Sequence, residues 1–186
     1  MSTETIYKDA EHRMNSAIEA MAHDFGTYRT GRASPSVLER VHVEYYGVET
    51  PISQIANVSV PEPRQLLIQP YERNMVGVIE KAIMKSDLGI NPNNDGTGIR
   101  LNFPQMTEER RKDMVKQVHT RTEQGRVAIR NVRRDAIEHM KTLQKNKEIS
   151  EDDLKAQEAR MQKLTDGFIH QADELGKKKE AELMQV

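Results

Sequence analysis

Arg126, Arg130, Arg133, Arg134 and Lys141 fall on one side of a helical wheel drawn at about 100° per residue. Lys112 and His119 extend the line toward the N-terminus. Four of the five clustered side chains are arginines, whose planar, permanently charged forks match phosphate oxygens in pairs. Positive charge aligned over several helical turns can track a phosphate backbone with salt-dependent affinity. A solvated helix face would have the same look, and the stripe alone does not decide between the two. Few acidic residues stand three or four positions away to neutralise it, Glu123 and Glu138 being the exceptions.

No other set of residues converges on chemistry. The histidines are His12, His23, His42, His119, His139 and His170, and no two stand three or four apart, so a helix-borne metal pair is not expected. There is no phosphate loop and no GxSxG elbow. Asn91-Pro92-Asn93-Asn94-Asp95-Gly96 imitates the first half of a calcium loop, but Ile99 and Asn102 occupy positions nine and twelve, where a bidentate Glu should close the shell. A turn before a strand explains that segment better. Glu108-Glu109 and Asp152-Asp153 sit at predicted helix starts, where the dipole favours acids without any catalysis. The sequence thus offers no candidate catalytic residue, metal site or cofactor motif, and a binding protein, not an enzyme, is expected.

The elements that carry the stripe follow from periodicity. Apolar residues at Ile6, Ala10, Met14, Ala17, Ile18, Met21, Phe25 and Tyr28 mark one amphipathic helix. From Val41 the period drops to two, and Val58–Val60, Leu66–Ile68 and Ile99–Phe103 read as further strands, with a helix over about Arg73–Leu88. Thr107 can cap a second long helix, whose stripe runs from Met114 through Val118, Ile129, Val132 and Met140 to Leu143. Ser150 with Asp153 offers a capping-box start to a third, through Leu154, Met161, Leu164, Phe168, Ala172, Leu175 and Leu183.

The expected fold is α+β: an elongated three-helix bundle with a small β/α/β domain inserted between its first and second helices. The domain bounds are 1–29 with 107–186 for the bundle and 32–104 for the insert. The chain crosses between them at 30–31 and 105–106, where Gly and Pro suit a hinge as well as a rigid junction. Composition agrees, since 31% of residues are charged, 36% are hydrophobic and Trp is absent, as thin helices with one apolar stripe allow. With no Cys, disulfides and thiolate metal sites are excluded. The start MSTETIYKDA lacks the pattern of a signal peptide and no apolar run is long enough to span a membrane, so a cytoplasmic location is expected. A net charge of −1 conceals segregation: residues 107–147 carry twelve basic against six acidic side chains, while residues 148–186 carry six against ten.

Six blocks in order resemble bacterial ribosome recycling factor: RTGRASPS at 29–36, VEYYG at 43–47, EKAIMKSDLG at 80–89, MTEERRKD at 106–113, RVAIRNVRRDA at 126–136 and NKEISEDD at 146–153. The resemblance spans essentially the whole chain. It implies a tRNA-like pair of domains, a three-helix bundle and a β/α/β domain on a flexible hinge. It also implies a factor that binds the large ribosomal subunit after termination. With elongation factor G and GTP, such a factor splits the subunits, releasing mRNA and deacylated tRNA; the GTP is used by that partner. By resemblance, Arg130, Arg133 and Arg134 of the RNVRRD block contact rRNA, joined by Arg29 and Arg111 and by Arg126 on the same face. Thr30, Gly31, Gln105 and Met106 map to the family hinge. The expected partners are large-subunit rRNA and elongation factor G, the expected state a monomer. Two other readings stay open on the residues alone: a helical adaptor whose basic stripe confers solubility, and an enzyme built on the small domain.

Overall fold

The computed structural model describes residues 1–28 and 30–185. Helix α1, Thr3–Gly26, starts at Ser2, whose Oγ accepts the Thr5 N–H at 3.1 Å. Its apolar stripe is buried at Ile6, Ala10, Met14, Met21 and Phe25. The chain then builds a separate unit before the two other long helices form. The first unit comprises Met1–Tyr28 with Glu109–Val186, and the second Arg29–Glu108.

The second unit opens with a hairpin. Strands β1 (His42–Tyr45) and β2 (Val48–Pro51) pair antiparallel, with Tyr45 opposite Val48 and Glu44 opposite Glu49. Tyr46 (φ 47°) and Gly47 (φ 80°) close it, the two left-handed residues that a twisted two-residue turn demands. A single helical turn, α2 (Ile52–Ile55), leads to β3 (Ala56–Glu62) and β4 (Gln65–Pro70). Helix α3 (Val76–Lys85) follows, then the two-residue β5 (Asn93–Asn94) and β6 (Ile99–Asn102). The four-stranded sheet has order β3-β4-β6-β5 and is antiparallel throughout. Leu66, Ile68, Ile99 and Leu101 alternate onto one buried face and pack with Ile79 and Ile83 of α3.

Asn94 and Asp95 form the turn expected of them. Asp95 Oδ1 accepts from the N–H groups of Thr97 and Gly98 at 3.0 and 3.2 Å and from the Thr97 hydroxyl at 2.7 Å. Its Oδ2 pairs with Arg100 Nε at 2.5 Å. These donors, Arg100 foremost, hold the Asp95 carboxyl far below the usual range. Both oxygens thus serve the turn and its strand.

Helix α4 (Glu108–Lys145) has 38 residues, about 57 Å at 1.5 Å per residue. It ends where Lys147 turns left-handed at φ 62°. Helix α5 (Glu151–Met184) starts on a complete capping box: Ser150 Oγ accepts the Asp153 N–H at 3.0 Å, and Asp153 Oδ2 accepts the Ser150 N–H at 3.1 Å. The three long helices bury their stripes against one another. The α5 stripe departs in one respect from its apolar spacing: Thr165 and Gly176 are buried, while Leu154, Leu164 and Leu175 are only half-buried. Thr165 tolerates burial because its hydroxyl donates to Met161 O at 2.7 Å, as Thr122 donates to Val118 O at 2.8 Å.

Two glycines accommodate side chains of neighbouring helices. A Cβ at Gly125 of α4 would overlap the Met21 sulfur of α1. One at Gly176 of α5 would lie 2.5 Å from Thr122 Oγ1. Each glycine makes room for a side chain of a neighbouring helix at the cost of some helix propensity.

Candidate RNA interface

Because α4 is continuous, its basic residues keep fixed angular positions. Arg130, Arg134 and Lys141 are exposed, and Arg126 and Arg133 are half-buried along the seam with α5. The stripe therefore has an inner edge that touches the bundle and an outer edge that meets solvent.

The inner edge is already engaged. Arg126 Nε donates to Asp173 Oδ1 of α5 at 2.7 Å, and its Nη1 donates to Glu123 Oε2 at 2.6 Å. The hydrogen bond to Asp173, then that to Glu123, raises the Arg126 pKa above its ordinary value. Arg130 Nη1 stands 3.6 Å from the other Glu123 oxygen, a looser pairing with its side chain 45% exposed. Arg133 Nη1 donates to Gln162 Oε1 at 2.5 Å, while its buried Nε meets no acceptor among the described residues. Arg134 and Lys141 make no ion pair among the described residues. The outer edge is thus Arg130, Arg134 and Lys141, with Arg133 held in a set orientation beside them.

Of the other expected contacts, Arg111 is half-buried near the start of α4, its Nε buried without an acceptor among the described residues. Arg29 lies outside the described residues. Thr30 Oγ1 accepts the Arg32 N–H at 3.4 Å. Gly31 has φ +78°, and a Cβ there would stand 3.3 Å from Met106 Cγ. Gly31 and Met106 therefore lie side by side, with Gln105 exposed next to them.

The sequence did not disclose which acids answer these cations. Asp173 is 47 residues from Arg126, and only the α4–α5 pairing brings them together. Arg121, which lies off the stripe, pairs with Asp24 of α1 at 2.6 Å. Arg13 of α1 pairs with Asp135 at 3.1 Å. These cross-helix pairs hold the bundle, and the acidic excess of α5 supplies part of them.

The face can do one kind of chemistry, charge-assisted hydrogen bonding to anionic oxygen. Among the described residues no group of three or more His, Asp or Glu side chains stands ready for a metal ion. Among them, no helix is long and apolar enough to cross a membrane.

The chain as a whole is similar to known proteins. The family model described as ribosome recycling factor matches residues 21–184. The ribosome-recycling factor of Nitratidesulfovibrio vulgaris is 53% identical over 186 residues, covering 100% of both chains. That of Dehalococcoides mccartyi is 52% identical over 181 residues, covering 97% of this chain and 98% of the relative. A solution structure of the ribosome recycling factor superposes with a TM-score of 0.80 at 42% identity, covering 100% of this chain and 99% of the other. A second structural match, with a TM-score of 0.68 at 46% identity and 100% of both chains covered, is the T. thermophilus ribosome recycling factor placed with the E. coli elongation factor G on the E. coli post-termination complex. A family match over residues 21–184, relatives more than half identical across the chain and a shared fold make this chain a member of the ribosome recycling factor family.

Proposed function

We propose that this chain binds ribosomes that have finished termination and, with elongation factor G and GTP, splits them into subunits, so that mRNA and deacylated tRNA are released. The observation that carries the reading is the outer edge of α4, where Arg130, Arg134 and Lys141 present positive charge to solvent beside an oriented Arg133. Large-subunit rRNA is the polyanion this edge grips, with Arg111, Arg126 and Arg29 as further contacts. Arg126 serves mainly by fixing the stripe on the bundle, since Asp173 and Glu123 already occupy its fork.

The chain supplies no motive energy of its own, and the GTP is hydrolysed by elongation factor G. Thr30, Gly31, Gln105 and Met106 form the hinge about which that partner drives the small unit. A left-handed glycine against a flexible methionine suits two strands of chain that must twist together. The factor works in the cytoplasm as a monomer and carries no cofactor.

The test is Arg133→Ala in the full chain. Weaker ribosome binding and slower splitting at unchanged thermal stability support the reading; wild-type binding and splitting remove Arg133 from the interface.

A further inference from the structure

We propose that the small unit carries an RNA-binding surface of its own, a cationic groove between β1 and α3. The inference rests on the ribosomal reading above. The groove has a volume of about 470 Å³, and its basic lining comes from Arg40 and His42 on one wall and Lys81 and Lys85 on the other. Lys81 and Lys85 stand four residues apart on α3 and so project from one helical face, together with Val78 and Ala82. Arg40, Lys81 and Lys85 are exposed, and none has an ion-pair partner among the described residues. In this they match Arg134 and Lys141 of α4, whereas Arg121, Arg126 and Arg130 there face carboxylates.

The position of Lys85 in the last turn of α3 is accounted for by the helix dipole. That explanation does not reach Lys81, or Arg40 on a different element. The only acidic side chain lining the groove is Glu44, at the hairpin end. Residues 30–106 carry seven basic and eight acidic side chains, so the groove concentrates positive charge within a nearly neutral unit.

The floor decides what kind of polyanion fits. Val41 and Val43 are 6% and 3% exposed, so the apolar surface a partner could cover is that of Val78 and Ala82 on the α3 wall, beside Lys81 and Lys85, with no apolar socket in the floor. No aromatic side chain lines the groove. A protein segment would need an apolar socket or an aromatic anchor to bind tightly, whereas an RNA backbone needs cations along a channel and gains affinity from released counterions. The groove therefore favours phosphates held by charge, without base readout. The small unit then has an RNA contact that it can make or break when it moves.

The test uses full-length protein and purified 70S ribosomes. The double variant K81E/K85E is compared with wild type, with K81Q/K85Q as a milder version and R130E/R134E as the α4 arm. Thermal melts show which variants fold. We expect both groove variants to bind more weakly, with the slope of log affinity against log salt shallower by about 1 to 2, as loss of two phosphate contacts requires. A photo-crosslinking residue at Val78, 40% exposed on the groove wall, is expected to mark rRNA. Wild-type affinity and slope in both groove variants overturn the proposal, as does a crosslink only to protein, which would assign the groove to an acidic protein segment. If wild type itself fails to bind ribosomes, the ribosomal reading falls and takes this inference with it; if only the α4 arm loses binding, the groove alone is refuted.

Discussion

Arg126 of α4 reaches across the bundle to Asp173 of α5, Nε to Oδ1, at 2.7 Å. With its side chain 30% exposed and Asp173 35%, the pair sits partly out of water at the seam. One residue of a basic stripe is thereby a strut between helices, and its neighbours on the outer edge are not.

Arg126→Ala and Arg134→Ala should therefore separate stability from binding. Arg126→Ala is expected to lose about 1 kcal/mol, through the ion pairs and the packing of its stem. Arg134→Ala should stay within about 0.5 kcal/mol, as exposed substitutions do, while binding ribosomes more weakly. Thermal or urea melts, read beside a pelleting assay, check both. Equal stability losses would mean that Arg134 is also a strut.

Gly125 and Gly176, each filled over by a neighbouring side chain, give a packing prediction. Gly125→Ala forces Met21 out of its position and is expected to destabilise by about 1–3 kcal/mol despite the better helix propensity of Ala. Gly176→Ala, against Thr122 Oγ1, should fall in the same direction, with the Thr122→Ser background relieving it only if the methyl group adds to the clash. Urea denaturation with an unchanged slope is the readout. A stabilised Gly125→Ala variant would show that the Met21 side chain does not fill the space at Gly125.

How much of this could be read from the chain follows the range of each interaction. The stripes at three- and four-residue spacing and the capping box at Ser150 and Asp153 are local, and the helices stand where those signals put them. The strands at Val43, Leu66–Ile68 and Ile99–Leu101 alternate or run apolar, and were legible for that reason. Strand β2 was not: Val48-Glu49-Thr50-Pro51 buries only Thr50, and its pairing depends on the left-handed turn at Tyr46-Gly47. Strand β5 consists of Asn93 and Asn94, residues whose local preference is a turn, held by β6 alone. In the candidate interface, the orientation of the arginines was readable from the wheel. Asp173 and Gln162, which decide which cations are engaged, belong to another helix and carry no periodic signature.

The capping box itself is testable. Ser150→Ala removes the acceptor for the Asp153 N–H and is expected to cost about 1 kcal/mol. Ser150→Gly should cost less, since Gly tolerates the cap conformation. Melting temperatures of the two variants decide, and a fall for Gly as large as that for Ala would deny the cap its role.

Acid should act on the turn before β6. The Asp95 carboxyl is held below its unfolded value, first by Arg100 and then by Thr97. A depressed carboxylate contributes stability above its unfolded pKa, about 4, and loses that contribution as pH falls through the folded value. Asp95→Asn should therefore lower stability near neutral pH and flatten its decline below about pH 4. An unaltered acid limb in the variant would mean that the Asp95–Arg100 pair does not support the folded turn.

At the crossing, Gly31→Ala places a side chain where φ is +78° and Met106 Cγ is near. Strain of about 1–2 kcal/mol is expected there. If the crossing acts as a hinge, ribosome binding persists while splitting slows; an unchanged splitting rate would assign the motion elsewhere.

The most direct measurement is light scattering of post-termination ribosomes mixed with this protein, elongation factor G and GTP, with each component omitted in turn. Scattering is expected to fall, as subunits separate, only when all three are present. Splitting without this chain, or none with the full mixture, would contradict the proposed function.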